Sequence, residues 1–243
     1  MVHIFARPFK VSRWKRSFKS LLFKIIYPIL AKYLASERRY RYRDVEVRVP
    51  PGVFHPGLFF STRILLDYLE TLPVAGKRVL ELGAGSGLIA LRCARRGASV
   101  TASDISTTAV EAIRANARRN GRELTVIHSD LFAAIPRQAF DLIVINPPYF
   151  PRTPLRESQY AWFCGENFEF YRRLFPEMRG YLHRNSRVLM ILSEDCRIDH
   201  ILSLARENGY EVREVHRRRN WWETNFVFQY TLVQDEKPRS LLV

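Results

Sequence analysis

The sequence predicts an α/β protein in which a parallel sheet is covered by helices on both faces. Three observations predict it. From residue 78 onward, short apolar runs of strand length alternate with helical patterns. One run, Phe140–Ile145 (FDLIVI), is almost continuously apolar, as a strand buried on both faces must be. Glycines and polar residues suited to chemistry fall at four successive strand ends, where ligands bind in such sheets.

The elements follow in order. Arg78–Leu82 (RVLEL) is the first strand, followed by a glycine loop and a helix through about Arg95. Ser99–Ser103 is the second strand and ends in Asp104. Ser106 reads as the N-cap of a helix through Asn120, with Gly121 as its stop. Leu124–His128 is a short third strand and Phe140–Ile145 the fourth. A helix around Phe168–Tyr181, a strand at Arg187–Leu192 and a helix around Ile198–Asn208 come next. Two last strands, Tyr210–His216 and Asn225–Leu232, are joined across Asn220–Trp222, and so short a turn pairs them antiparallel.

Composition bounds the function. With 47% hydrophobic and 26% charged residues, the 243-residue chain is neither disordered nor of low complexity, and it is long enough for a sizeable core. Cys93, Cys164 and Cys196 are odd in number and lack CxxC spacing. A disulfide scaffold or zinc site is therefore not expected, and a reducing, cytoplasmic location is. The six histidines form neither HExxH nor HxH, so no metal is expected.

The net charge of +15 is uneven: residues 1–50 carry 13 Lys/Arg against 3 Asp/Glu. This points to an acidic partner for that segment, such as nucleic acid, the ribosome or an anionic membrane surface. Residues 1–49 read as a basic extension and residues 50–243 as the catalytic domain. Within 12–35, Trp14, Phe18, Leu21, Leu22, Ile25 and Ile29 recur at helical steps, and Pro28 is expected to kink or divide the helix. The simplest role for it is to pack its apolar stripe on the main domain; nucleic-acid and membrane contacts stay open. The charge-free run from Ile25 to Ala31 is far short of the ~18–20 apolar residues of a membrane span. No small-residue cleavage site follows, so a secretory signal is not expected.

Glu81-Leu-Gly83-Ala84-Gly85-Ser-Gly87 opens a helix directly after a strand. Its GxGxG spacing departs from the GxGxxG dinucleotide fingerprint, because the sixth position is Leu88, and no GxxxxGK[ST] loop exists. The expected ligand is a nucleoside without a pyrophosphate. Asp104 stands where a carboxylate accepts ribose hydroxyls, and Asp130 where one accepts from an adenine amine. Ile105 and Leu131 flank them to pack on the adenine faces. Asn146-Pro147-Pro148-Tyr149 ends the fourth strand.

Together, ELGAGSG, ASD, HSD and NPPY resemble the successive motifs of class I S-adenosylmethionine-dependent methyltransferases, in order over roughly residues 50–233. The resemblance implies S-adenosyl-L-methionine as cofactor and a seven-stranded Rossmann-like sheet of order 3-2-1-4-5-7-6 with strand 7 antiparallel. It implies contacts from Glu81, Gly83 and Gly85 to the methionine part, with Ala84 and Gly87 in the same loop. Asp104 then takes the ribose and Asp130 the adenine.

The tetrapeptide fits a particular chemistry. An amide or aromatic amine delocalises its lone pair and is a poor nucleophile. Two acceptors, the Asn146 side-chain oxygen and the Pro147 carbonyl, hold its two N–H groups and favour a pyramidal nitrogen beside an activated methyl. Pro148 supplies no competing N–H, and Tyr149 stacks on the planar substrate. Asn146 thus belongs to both the cofactor and the catalytic set.

For the substrate, NPPY and the following proline-containing loop resemble the HemK family of glutamine methyltransferases that modify the Gly-Gly-Gln loop of release factors. Tyr160-Ala-Trp162-Phe-Cys-Gly165 and Arg173-Leu-Phe-Pro176 resemble the short members of that group. Phe54-His55-Pro56 through Ser61-Thr62 resembles their upstream proline-to-threonine segment, though about two residues longer, and this likeness places Thr62 near the methionine carboxylate. Trp162 is expected near the substrate, and the length of the loop from Tyr149 to Glu166 suits a lid. Pro51-Gly-Val-Phe54 with Ser61-Thr-Arg-Ile-Leu-Leu66 is similar instead to ribosomal RNA guanine-N2 methyltransferases, whose NPPF Tyr149 departs from; adenine-N6 enzymes share NPPY. Protein glutamine is the leading substrate, an RNA or DNA base the second, and a non-catalytic cofactor-binding module the third. Arg217-Arg-Arg-Asn-Trp-Trp222 mixes cations with aromatics as single-stranded nucleic-acid surfaces do, but reads more simply as a solvated hairpin tip with its tryptophans folded onto the sheet.

Overall fold

The computed structural model describes residues 32–221 and 223–233. The apolar stripe from Trp14 to Ile29, the kink at Pro28 and Trp222 lie outside the described residues. Fourteen longer elements follow: β1 (Arg38–Tyr42), β2 (Val45–Val49), α1 (Phe60–Leu69), β3 (Arg78–Leu82), α2 (Leu88–Arg95), β4 (Ser99–Asp104), α3 (Thr107–Arg119), β5 (Thr125–His128), β6 (Phe140–Ile145), α4 (Glu169–Met178), β7 (Leu182–Ser193), α5 (Ile198–Glu207), β8 (Tyr210–Arg219) and β9 (Thr224–Leu232).

Seven strands form one sheet of order β5-β4-β3-β6-β7-β9-β8. All its pairings are parallel except β7 with β9 and β8 with β9. Counted from β3, this is the expected order 3-2-1-4-5-7-6, with the seventh strand reversed.

Strand residues alternate between two apolar layers, because successive side chains point to opposite faces. Leu80, Leu82, Ile143, Ile145, Met190 and Leu192 pack with Tyr171, Phe175 and Ile201 of α4 and α5. Val79, Leu142, Val144, Leu189 and Ile191 pack with Leu65, Leu91 and Ile113 of α1, α2 and α3. The sheet is thus covered on both faces, which explains why β6 is apolar at every position but Asp141.

Residues 38–49, grouped above with the basic extension, form the β1–β2 hairpin. Its Val45, Val47 and Val49 are buried in the same layer as α1, α2 and α3. Two asparagines of α3 fasten it. Asn116 is fully buried. Its Oδ1 accepts from Arg48 N at 2.9 Å, while its Nδ2 donates to Arg48 O at 2.9 Å and to Ser86 O at 3.0 Å. Asn120 repeats the pattern on Glu46, accepting at 3.2 Å and donating at 2.7 Å. These side chains stand in for a neighbouring strand and satisfy an edge that would otherwise be unpaired. Neither the hairpin nor α1 was among the elements read from the sequence; the alternation in VEVRV is the signal for β2.

Other boundaries shift for local reasons. The helix expected over Phe168–Tyr181 is α for Glu169–Met178 and continues as a 3-10 turn through Tyr181, with Pro176 removing one donor near its end. β7 starts at Leu182, paired with Phe140, earlier than the apolar run Arg187–Leu192; residues 183–185 are polar and half-buried or exposed and give no apolar signal. Among the described residues, no helix is long and apolar enough to cross a membrane.

Candidate active site

Strand register assembles the site. Leu82 pairs with both Ile145 and Ser103, and Asp104 pairs with His128. The next residues along, Asn146, Gly83 and Asp104, therefore lie side by side on adjacent strand ends about 4.8 Å apart.

The glycine loop is shaped by backbone. Gly83 N and Ala84 N both donate to Ser103 O at 2.9 Å, turning the chain over the end of β4. Gly83 has φ +72, and a Cβ there would meet nothing within 4 Å, so open space lies above it. Gly87 has φ +76, and a Cβ there would lie 3.1 Å from Ile113, so this residue lets α2 start close against α3.

Two carboxylates hold the loop. Asp104 accepts from Gly85 N at 2.8 Å through Oδ2 and from Ser106 N at 2.9 Å through Oδ1. Burial pushes its carboxyl up, against the backbone N–H groups of Ser106, Gly85 and Ile105, which pull it down. Each oxygen keeps a further lone pair for a hydroxyl donor. Ser106 caps α3 as expected, accepting from Ala109 N at 3.2 Å. Glu81 is buried beneath α2, and its Oε2 accepts from Ala90 N at 2.7 Å. Burial pushes this carboxyl well up, partly opposed by that N–H. In this geometry Glu81 ties the start of α2 to β3.

Asp130 and its neighbours sit beyond β5. Asp130 is exposed and pairs with Arg173 Nη1 at 2.8 Å. Leu131, buried, adopts φ 48, a left-handed conformation rare for a side-chain-bearing residue. Ser129 fastens this turn by donating to Leu131 O at 2.9 Å and accepting from Ala134 N at 3.0 Å. Ile105 is half-buried, and its carbonyl lies 2.7 Å from His128 Nε2.

The Asn146 side is built by side chains from distant segments. Asn146 Nδ2 donates to Ser61 Oγ and Thr62 Oγ1, both at 3.3 Å, from the first turn of α1. Its Oδ1 accepts from Tyr149 Oη at 3.1 Å. Burial pushes the Tyr149 phenol well up, so it remains a hydroxyl donor. Pro147 and Pro148 are buried. The Pro148 carbonyl accepts from Tyr171 Oη at 3.0 Å, while no described residue donates to the Pro147 carbonyl. The sequence carries no local signal for the roles of Ser61 and Tyr171. Ser61 adjoins Thr62, but nothing local says which hydroxyls reach a residue 85 positions away.

The loop after NPPY folds back on itself. Tyr149 N and Phe150 N donate to Trp162 O at 3.1 and 2.9 Å, and Phe150 bridges to Phe163. The Trp162 ring sits 5.3 Å from Phe54 and 4.8 Å from Phe59, which are themselves 4.8 Å apart. A cavity of about 160 Å³ lies between Pro51, Gly52, Ser106, Thr108, Glu157 and Ser158. The segments 51–54 and 157–162 thus stand together beside the strand ends. A larger cavity of about 610 Å³, lined by Ser99, Arg114, Arg122 and Thr125, opens where β4 and β5 begin and touches none of these motifs.

Comparison with known proteins follows the same lines. The family model described as "Methyltransferase small domain" matches residues 44–210. A protein from Methanocaldococcus jannaschii named putative protein N5-glutamine methyltransferase is 36% identical over 174 residues, covering 69% of this chain and 86% of the relative. A ribosomal protein L11 methyltransferase from Thermotoga petrophila is 28% identical over 188 residues; the match covers 76% of this chain but only 64% of that relative's length. Among solved structures, an E. cuniculi complex described as responsible for methylating the eRF1 translation termination factor superposes with a TM-score of 0.58 at 23% identity, covering 74% of this chain and 99% of that one. At that identity the likeness concerns the fold.

Proposed function

We propose an activity for this chain, which belongs to the methyltransferase small-domain family: transfer of a methyl group from S-adenosylmethionine to the side-chain amide nitrogen of a protein glutamine, of the release-factor type. One observation carries the reading. The Asn146 amide is gripped at its nitrogen by Ser61 and Thr62, which fixes its oxygen, touched by the Tyr149 hydroxyl, as an acceptor at the strand end next to Gly83.

The residues fit the cofactor. The open space above Gly83 accommodates a ligand close to the backbone. The Asp104 lone pairs suit ribose hydroxyls, and Asp130 suits an exocyclic amine once Arg173 shares it. Gly85, Ala84 and Gly87 set the loop, Glu81 anchors its helix, and Ile105 and Leu131 border the adenine position. Thr62, bonded to Asn146, lies near the methionine end. Bound there, S-adenosylmethionine supplies an electrophilic methyl carbon on sulfur.

The chain does the rest by positioning. Asn146 Oδ1 and Pro147 O accept the two N–H groups of the substrate amide, which draws its lone pair out of conjugation. Tyr149 Oη, now on Oδ1, keeps the Asn146 amide from turning over, and its ring borders the acceptor. Pro148, anchored by Tyr171, stiffens the turn. Trp162 closes the substrate side with Phe54 and Phe59.

The relative from M. jannaschii supports a glutamine acceptor. The +10 charge of residues 1–50 favours RNA-base methylation as the second reading. Labelling with methyl-tritiated S-adenosylmethionine separates them. Label on a release factor, lost when its acceptor-loop glutamine is replaced by alanine, is expected. Label that nuclease removes from a fractionated lysate would overturn the glutamine assignment.

A further inference from the structure

The end of β8, Arg217–Arg219, and the turn into β9 make up the stretch whose cations and tryptophans suit a nucleic-acid surface or, more simply, a solvated hairpin tip. The structure divides it differently. Arg217 pairs with Glu214 through two bonds, Nε to Oε1 at 2.8 Å and Nη2 to Oε2 at 2.7 Å, and lies over the Phe226 ring. Arg218 Nη1 pairs with Asp67 Oδ2 at 2.9 Å. Two of the three arginines are thus already neutralised by carboxylates, and Glu223 adds another at the base of the turn, bonded to Ser193. A phosphate backbone needs unopposed cations and meets carboxylates here. Trp221, expected to fold onto the sheet, is 100% exposed.

The tip also has a defined place. β8 runs parallel to β7 and β6, so its end lies at the same edge of the sheet as Asn146. It stands three strand spacings to the side and four residue pairs further along, on the order of 20 Å away. Arg218 ties it to α1 through Asp67, and His216 stacks on Tyr68 of the same helix at 5.7 Å. That helix carries Ser61 and Thr62, which hold Asn146. A large protein reaching the site by a loop would cover this tip as well.

We propose that Trp221, flanked by Arg219, is the anchor by which this chain docks the folded protein that carries its acceptor glutamine. The partner surface is an apolar pocket that takes the indole, with a carboxylate facing Arg219. Trp and Arg are the residues that most often dominate such contacts, and a buried indole removes about 200 Å² from water. The proposal rests on the protein-glutamine reading, and its test separates the two.

The test titrates a release factor onto the full chain in the presence of S-adenosylhomocysteine. It also measures methyl transfer to the intact factor and to a short peptide of its acceptor loop. Trp221→Ala is expected to weaken binding and raise KM for the intact factor by about thirtyfold. It should leave kcat and transfer to the peptide unchanged, and Trp221→Phe should recover part of the loss. Normal KM for the intact factor in Trp221→Ala overturns the docking surface and leaves the glutamine reading standing. Binding that depends on Trp221 without any methylation sustains the surface and sinks the glutamine reading. A factor neither bound nor methylated rejects both. A single-stranded oligoribonucleotide or an anionic vesicle whose binding depends on Trp221, in place of the protein, overturns the proposal in favour of that ligand.

Discussion

The two halves of the strand-end row are made in different ways. From Gly83 to Asp130, the surface is mostly backbone: glycines at positive φ and N–H groups aimed at Asp104, all within 48 residues of chain. From Asn146 to Trp162, it is mostly side chains, and their partners are Ser61, Thr62, Tyr171, Phe54 and Phe59 from other segments. A backbone-built half tolerates change wherever φ is respected. A side-chain-built half fails when any distant partner is lost. The first suits an invariant small ligand, the second an acceptor that must be positioned to a fraction of an ångström.

That contrast can be broken by substitution. The largest effect is expected at Asn146→Ala, which removes one of the two acceptors proposed for the substrate amide. Turnover should fall by about 10²–10³-fold, as for loss of a single oxyanion-hole donor. Affinity for S-adenosylhomocysteine, measured calorimetrically, should change far less; equal losses in both would mean the two halves are not separable.

Next in size is Asn116→Ala. It deletes three hydrogen bonds, one fully and two partly buried, and strands the Arg48 and Ser86 backbone groups. A loss of about 2–3 kcal/mol in urea unfolding is expected. Because Ser86 lies in the glycine loop, cofactor affinity should weaken along with stability while the Asn146 side keeps its geometry.

Gly83→Ala asks how much of the first half is conformation alone. The new Cβ has open space, so the protein should lose only the roughly 1–2 kcal/mol of left-handed backbone strain. Cofactor affinity should drop further, since that space is the proposed ligand site. A variant with normal affinity would place the ligand elsewhere.

The smallest effect is expected at Arg173→Ala. The ion pair with Asp130 is half exposed on both sides and screened by solvent, so stability should change by less than about 1 kcal/mol. A large gain in cofactor affinity would identify Arg173 as a competitor for Asp130.

The difference between the halves also decides what was legible. ELGAGSG, Asp104 and the Ser106 cap announce themselves because strand, turn and helix start within a few residues and obey local rules. The grip of Ser61 on Asn146 does not, since it spans 85 positions. At the β8 tip the expected hairpin forms, but Trp221 is exposed rather than folded onto the sheet. The pairing of Arg218 is hidden for the same reason as the grip of Ser61, since Asp67 lies 151 positions away.

By itself, the sequence determined the order of strands and helices from residue 78 onward, the apolar period that buries the sheet on both faces, and the glycine and NPPY turns. All of these are set by neighbours along the chain. Only the tertiary structure decided that Asn116 and Asn120 complete the hairpin edge, that α1 orients Asn146, and which arginines of the β8 tip are already paired. Hydrogen bonds and ion pairs act over about 3 Å. Partners far apart in the chain therefore find one another only after the sheet has folded and fixed their register.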